Sequence, residues 1–545
     1  MIRVGLLVDR SEGGRSLDLL FDWMAGRNDV LLDHLIVCHP AQGARADRTW
    51  GSRLSGAARA IRQAPFRLLC ALERWIMRRS GKYCDRLATI DVSQRFSQRL
   101  DLTVRRASGD RYRATPADEA RVRALGLDVI LRCGGVALEG GILQAARCAM
   151  LALPVENEAG GADAALGFWE VLRHSGRSTF RIVRLDAAAG QAVVCSGAAR
   201  TRHFFQFNRI CLVARCFGQL RWLLPGLARG LPLSAFAASE PQPLPGAWSV
   251  LLYALRVAVP RLTYFVQRRL GFDYRWSVAY YDGPWHGLKS SSLRTIPCPA
   301  GRFLADPFVI EREGRVVCFV EDYVYEKQRG RITAYELTAD GAVELGVALD
   351  EPFHLSFPYI FTYQGQLYLC PECTEARQLR IYRCLEFPLR WQLAEVAMDG
   401  VALADPLLFE HSGSWWLLAN RDYGGDGDYC SELELYSADS PLGGLWTPHP
   451  KNPLRIDSDG ARNAGILIEG HRILRPAQRQ GFAIYGRGLS IYEVKTLTTS
   501  EYQETRLRDF GPEDIPGFAG LHHMTSCGRF SVIDRISLMR SSRPA

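Results

Sequence analysis

The residues of this 545-residue chain whose types and spacing carry most chemistry lie in its second half. Asp306, Asp405, Asn463 and His523 share one recurring position, with Phe357 the apolar exception in the series. Fifteen residues later in the first four units come Glu321, Glu372, Asn420 and Gln478, each ending an apolar run (CFVE, YLCPE, LLAN, RPAQ). Single polar residues after apolar strands are ordinary turn starters. Four of four at one offset, two of them glutamates, point instead to a polar ring. Carboxyls in such a ring suit work on an acetal: one stays ionised while another, with its pKa raised, protonates the departing oxygen.

The elements that must carry this ring are short strands. The segments LADPFVIEREGRVVCFVED from Leu304, LSFPYIFTYQGQLYLCPEC from Leu355 and LADPLLFEHSGSWWLLANR from Leu403 align with ARNAGILIEGHRILRPAQR from Ala461 and GLHHMTSCGRFSVIDR from Gly520. Each holds a polar or small cluster, a strand, a glycine turn and a second strand. Taking Asp306, Phe357, Asp405, Asn463 and His523 as equivalent gives steps of 51, 48, 58 and 60 residues. A period of about 40–60 residues with about four strands per unit is that of a β-propeller blade, so five units predict five blades. The innermost strand of each blade lines a central channel, which brings equivalent positions together at one mouth.

The stretch GVALDEPFHLSFPYIFTYQGQLYLCPE, followed by LRIYRCLEFPLRWQL, SPLGGLWTPHPKNPL, ARNAG and TLTTSEYQE, resembles the propeller domain at the N-terminal side of plant glucosamine inositolphosphorylceramide transferases. That propeller is similar in fold to glycoside hydrolase families 43, 32 and 68. The resemblance implies roles. An Asp in a first-blade Asn/Ala-Asp-Pro motif is base or nucleophile, a second Asp tunes or holds the substrate, and a Glu is the general acid. Ala305-Asp306-Pro307 matches the first motif and Asp405-Pro406 is a second Asp-Pro; Glu372 is then the expected acid, with Glu321 next. A carboxyl separation of about 5 Å means retaining chemistry, and one of about 7–9 Å inverting chemistry. The plant proteins carry a separate glycosyltransferase domain with no counterpart in this sequence, which keeps a binding role open beside a catalytic one.

Arg462, Arg475 and Arg487 of the fourth unit suit phosphate or carboxylate through the bidentate guanidinium. His354, Tyr359, Tyr485, His522 and Trp415-Trp416 suit contact with a sugar, although neighbouring strand residues face opposite ways and at least one tryptophan is expected in the core. The expected substrate-binding set is Asn463, Arg462, Arg475, Gln478, Asn420, His354, His523 and Arg487. The CxxC at Cys370 and Cys373 has no second ligand pair, and no metal site is expected.

Composition bounds the rest. Hydrophobic residues make up 47% and charged residues 23%, globular values that exclude a disordered or collagen-like chain. The start MIRVGLLVDR lacks the pattern of a secretory signal. No window reaches the roughly 18 uncharged apolar residues of a membrane span. Fifteen scattered cysteines fit reduced thiols. A soluble, cytoplasmic protein is expected. The net charge of +9 is uneven: residues 1–285 carry 40 basic and 24 acidic side chains, residues 286–545 carry 27 and 34. That excess suits an anionic membrane surface, nucleic acid or an acidic partner, and is also common in Arg-rich proteomes without one. Leu68, Leu69, Leu72, Trp75 and Ile76 recur at helical spacing among Arg62, Arg67, Arg74, Arg78 and Arg79, a basic amphipathic helix that rests on a membrane or packs on its own domain.

At the N-terminus Arg3 to Val8, a helical SLDLLFDWMAG and Leu31 to Cys38 read as a βαβ unit. Further on, LDVILRCGGVALEGGILQAAR, LALPVEN and GFWEVLRHSGRSTFRIVRLDAAAGQAV resemble the catalytic domain shared by methionyl-tRNA and sugar formyltransferases. The resemblance implies a Rossmann-like α/β domain over residues 1–200. The family's Asn-x-His is replaced by Glu156-Asn157-Glu158, and its Asp before a late Gly by Ala187-Ala188-Ala189-Gly190, with only Asp186 nearby. Formyl transfer needs a base near neutrality, so inactivity in that chemistry is expected. Residues 201–285 are expected to be a helical connector and 286–545 the propeller. The expected function is a carbohydrate-active protein of glycan, glycolipid or cell-surface polysaccharide biosynthesis, of glycosyl transferase or glycoside hydrolase type. The alternatives are a sugar- or lipid-headgroup-binding scaffold and a sugar N-formyltransferase with an atypical site. Expected partners are a glycan, glycolipid or nucleotide sugar, the last as substrate. A peripheral contact with an anionic inner membrane face through the basic helices is also expected, and nucleic acid is not.

Overall fold

Hairpin turns set the architecture of the second half. Glu313-Gly314, Gln364-Gly365 and Ser412-Gly413 all have positive φ: 56° and 73°, 49° and 75°, 53° and 78°. Two consecutive positive-φ residues form a type I′ turn, whose twist matches that of the flanking strands, and each pair returns the chain as a tight hairpin. The structure is a computed structural model describing residues 1–25, 27–41, 50–79, 85–107, 111–155, 163–186, 190–233, 236–237, 242–482 and 484–540. It divides into two units, Met1–Pro260 with Tyr423–Gly427, and Arg261–Asp422 with Asp428–Ala545.

The second unit is a five-bladed propeller. The first blade runs Arg302–Arg312, Arg315–Val324, Arg329–Leu337, Ala342–Leu349 from the innermost strand outward, and the second Ser356–Tyr363, Gln366–Glu372, Gln378–Glu386, Arg390–Asp399. The third is built on Ala404–His411, Ser414–Arg421 and Glu432–Ala438, and the fourth on Asp459–Asn463, Arg472–Arg479, Gly488–Leu497 and Tyr502–Phe510. In the fifth, Met524–Cys527 and Phe530–Arg540 are completed by Phe272–Asp282 and Arg294–Thr295. Phe272–Asp282 pairs with the last strand along its whole length, from Phe272 opposite Arg540 to Asp282 opposite Phe530. The first and last long strands of this unit thus close the ring, so the propeller begins before residue 286. Apolar faces of successive blades fill the space between them; Trp415 and Trp416 are both buried there, which removes both from sugar contact.

Each of the first three blades breaks register on its innermost strand, between Ala305 and Phe308, Ser356 and Tyr359, and Ala404 and Leu407. Inside each break sits Asp306, Phe357 or Asp405, at φ of 48°, 47° and 49°, followed by proline. A left-handed conformation costs a side-chain-bearing residue about 1–2 kcal/mol. Such bulges re-aim a side chain, and the sheet around them must hold the strain.

The first unit is built on a ten-stranded mixed sheet. Its centre is parallel, in the order Ala149–Ala152, Val129–Cys133, Ile2–Val8, Val30–Pro40, Gln98–Arg106, while Arg177–Asp186 and Gly190–Arg200 join antiparallel at one side. The two helices of the expected connector differ. Phe205–Ala228 is buried along most of its length and belongs to the core of this unit. Ala247–Arg269 is long and apolar enough to cross a membrane by length and composition, and only 6% of its apolar window is buried. That differs from the expectation that no window qualifies, because the helix tolerates Arg256 and Arg261 within its apolar run. The motif positions Glu156-Asn157-Glu158 and Ala187 to Ala189 lie outside the described residues.

Candidate functional site

Strand register explains the constant offset of the polar ring. Ala305 pairs with Glu321, Ser356 with Glu372 and Ala404 with Asn420, so in these three blades the second position lies across from the residue before the bulge. The ring then splits into two kinds of work. In three places a second-strand residue accepts the backbone N–H of the first position in the next blade. Glu372 Oε2 takes Asp405 N at 3.2 Å, Asn420 Oδ1 takes Asn463 N at 2.8 Å, and Asp534 Oδ2 takes Asp306 N at 3.1 Å. Between the first and second blades the pattern changes: Phe357 N donates to Asp306 Oδ2 at 3.3 Å. Glu321 is thereby left without this duty.

Glu321 is buried, and His354 Nε2 lies 3.6 Å from its Oε1. His354 Nδ1 accepts the Gly330 N–H at 2.8 Å. An imidazole nitrogen that accepts carries no proton, so His354 is neutral, with its proton on Nε2 beside Glu321. Burial lowers the His354 pKa, in keeping with that tautomer. Burial raises the Glu321 pKa well above the usual carboxylate range, and the nearby Asp306, Glu372, Asp534 and Asp405 add to it.

Asp306 goes the other way. Burial works against its charge, yet His523, His522 and Arg462 hold its pKa at about 2. His522 spans two carboxylates, Nε2 at 3.3 Å from Asp306 Oδ1 and Nδ1 at 2.7 Å from Asp534 Oδ2. Burial opposes its charge, and Asp534 and Asp306 outweigh that to raise its pKa. Trp276 and Tyr485 pack on the ring, with centroids 4.0 and 5.2 Å away. His523 is fully buried between Phe308 and Phe357. Asp306, His522 and Asp534 offer ligand atoms within 4.8 Å of one another. Both nitrogens of His522 face carboxylates, so a cation held by these three residues would take the place of a proton on the ring.

Arg462 organises the opposite side. It forms a bidentate pair with Asp405, at 2.6 and 3.2 Å, approaches Glu372 Oε2 at 3.5 Å, and lies over the Tyr485 ring at 5.2 Å. Burial pushes Asp405 up to about 8 against the pull of Arg462, and Arg462 is itself raised well above its ordinary value chiefly by Asp405. The guanidinium keeps its proton and offers two N–H groups to the Asp405 carboxyl.

The structure thus brings Asp306, Glu321, Glu372, Asp405, Arg462 and His354 together. Glu372, expected as the acid, accepts from Asp405 N and Thr374 and lies beside Arg462, while Glu321 lies beside His354. Asn420, Asn463 and Gln478 are buried staples on backbone groups rather than sugar ligands; Asn463 Nδ2, for instance, donates to Asp405 O at 2.9 Å. Arg475 is fully buried, and its guanidinium is spent on Glu504, Gly460 O, Ala461 O and Asn463. Arg487 joins none of these contacts. Tyr359 is a core residue whose hydroxyl donates to Leu408 O at 2.6 Å. Asp534 escaped the sequence reading because the fifth blade has a shorter inner hairpin, Met524–Cys527 returning at Phe530, which breaks the fifteen-residue offset. Its position at the end of the apolar SVID run was the available signal.

Residues 288–512 match the family model described as glucosamine inositolphosphorylceramide transferase 1, N-terminal. Glucosamine inositolphosphorylceramide transferase 1 of Oryza sativa subsp. japonica is 38% identical over 209 residues, covering 37% of this chain and 27% of the relative. The Arabidopsis thaliana protein of that name is 36% identical over 211 residues, covering 38% and 27%. The chain therefore spans about a quarter of the length of these relatives. Among solved structures, the family 117 glycoside hydrolase Zg3597 of Zobellia galactanivorans aligns with a TM-score of 0.32 at 12% identity, covering 49% of this chain and 91% of that one. The catalytic domain of the Coprinopsis cinerea GH62 α-L-arabinofuranosidase aligns with a TM-score of 0.34 at 12% identity, covering 48% and 97%.

Proposed function

We propose that the propeller is the carbohydrate-active part of a protein of glycan, glycolipid or cell-surface polysaccharide biosynthesis, acting on a glycosidic or sugar-nucleotide bond with Asp306 and Glu321. The observation that carries this reading is the opposite setting of two buried carboxyls on paired strands: Asp306 faces His522 and His523, which hold its pKa at about 2, while Glu321 sits among other carboxyls, where burial raises its pKa well above the usual range. Pairs driven apart in this way divide into acid and base. Glu321 donates its proton to the leaving oxygen, and the Nε2–H of His354 meets the charge that then develops on it. Asp306 stays anionic and serves as base or nucleophile at the sugar carbon. Asp405 and Glu372, fixed by Arg462, offer acceptors to sugar hydroxyls.

The relatives' name speaks of glucosamine and inositolphosphorylceramide, and we extend it to a sugar donor and a glycolipid acceptor here. A lipid acceptor suits two helices with exposed apolar faces. Trp248, Leu251, Leu255, Val259 and Leu262 form one stripe on Ala247–Arg269, and Leu68, Leu72 and Trp75 another on Trp50–Arg79. Arginines flank both, as an anionic bilayer surface requires. For residues 1–200 a formyltransferase-type fold without formyl chemistry is the reading we keep.

A binding scaffold is the second reading. It is favoured by the tight burial of all four carboxyls, two of them already held by Arg462. The test is product formation from a panel of nucleotide sugars and glycans. Asp306→Asn and Glu321→Gln are expected to lose about 10²–10⁴-fold in turnover with melting temperature retained, the range for losing an acid–base group. Glu372→Gln is expected to lose less. Saturable binding without turnover in the wild type would establish the scaffold instead.

A further inference from the structure

Ala247–Arg269 exposes Trp248, Leu251, Leu255, Val259, Leu262 and Val266, which recur at steps of three and four residues along the helix. That spacing keeps them on one face. The 23 residues rise about 34 Å, enough to cross a hydrocarbon core of about 30 Å. Length therefore does not decide whether the helix crosses a bilayer or lies flat in it. The contacts along it do.

The face away from this stripe is held near mid-helix. Tyr253 is buried, with its ring stacked on Phe168 at 5.0 Å. Its hydroxyl donates to the buried Glu73 and accepts the Phe205 N–H at 2.8 Å. Arg256 Nη1 donates to Leu172 O at 2.8 Å. Pro260 has no N–H to offer the Arg256 carbonyl one turn back, and His174 Nε2 donates to that carbonyl instead at 3.0 Å. A helix crossing the bilayer would carry these contacts close to its centre. The segment that makes them also bears Arg173 and Arg177, both exposed, and charged groups are costly at that depth. A flat helix meets no such conflict: the stripe turns to the acyl chains, and the Tyr253 side stays on the protein. The helix carries four arginines, at 256, 261, 268 and 269, and no acidic residue. Arg256, Arg261 and Arg268 fall between the stripe positions, where cations meet the headgroups of an anionic leaflet.

We propose that Ala247–Arg269 is an in-plane anchor, embedded along its length in one anionic leaflet without crossing the bilayer. This rests on the bilayer contact proposed above and extends it, because it confines the meeting with a lipid-borne acceptor to one leaflet. For the test, the full chain with an epitope tag at each end is produced in a bacterial host, and sealed membrane vesicles are prepared right side out and inside out. The chain is expected to stay with the membranes in about 1 M salt, where surface charges are screened within about 3 Å. External protease is expected to remove both tags from one kind of vesicle and neither from the other. Removal of a single tag from each kind means a crossing helix and overturns the proposal. Release by salt also overturns it, leaving an electrostatic surface contact alone. A chain found wholly in the soluble fraction overturns the bilayer contact as well, so the two failures are distinguishable. Leu251→Glu with Leu255→Glu is expected to lower the membrane-bound fraction about tenfold or more at an unchanged melting temperature. An unchanged fraction contradicts the anchor, and so does a lipid-free dimer that this double change dissociates, which would assign the stripe to a second copy. Asp306→Asn is expected to leave membrane retention unchanged, which separates the anchor from the propeller chemistry.

Discussion

Glu321 is defined by the bond it does not make. Its counterparts Glu372 and Asn420 hold the next blade's backbone, a duty that Asp306 assumes between the first and second blades. Burial and four neighbouring acids raise the pKa of the freed carboxyl. Turnover is therefore expected to persist through the acid range, where Asp306 stays ionised, and to fall as pH rises through the raised pKa of Glu321; a pH profile of kcat/KM checks this. His522 gives a stability counterpart. Its folded pKa is raised, so its contribution is full below about 6.5 and is lost as pH rises through the folded value. The melting difference between wild type and His522→Gln is expected to be larger on the acid side than on the alkaline side.

Among elements, the bulged inner strands do the positioning, and their neighbours have little room to move. A Cβ on Gly330 would lie 2.3 Å from Leu355 O and 3.1 Å from Glu321 Oε1. Gly330→Ala is expected to cost about 1–3 kcal/mol by overpacking, and to reduce turnover by shifting the strand that holds His354. Asn420→Ala separates stapling from chemistry. It leaves buried groups unpaired and is expected to destabilise by about 1–3 kcal/mol in denaturant unfolding, with the pH profile unchanged. Much of this was legible in sequence. The x-Asp-Pro and x-Phe-Pro clusters and the paired turn residues marked the inner hairpins, because both depend on local backbone chemistry. Which of two glutamates stays free depends on hydrogen bonds between blades about fifty residues apart, and no local pattern carries that. The same limit hid the use of Arg475, whose partner Glu504 sits two strands away in the same blade.

For the whole molecule, the closure of the fifth blade and the exposed helix matter most. A fragment starting at residue 286 lacks Phe272–Asp282, the strand that pairs along the whole of Phe530–Arg540. It is expected to aggregate or fail to melt cooperatively, while a fragment starting at residue 271 melts as a folded unit. The sequence boundary fell short because Phe272–Asp282 pairs along its length with the distant Phe530–Arg540 and meets only the two-residue Arg294–Thr295 nearby. The helix Ala247–Arg269 leads to a lipid prediction: Leu251→Glu with Leu255→Glu is expected to reduce sedimentation with anionic vesicles, with the melting temperature unchanged.

The proposed chemistry requires Glu321 to be a protonated acid beside an ionised Asp306. Difference infrared spectroscopy of wild type against Glu321→Gln at neutral pH tests it without knowledge of the substrate. The wild type is expected to show a protonated carboxyl C=O band that the variant lacks, with its titration displaced well to the alkaline side of an ordinary glutamate. A difference spectrum showing only an ionised carboxylate at Glu321 would contradict it.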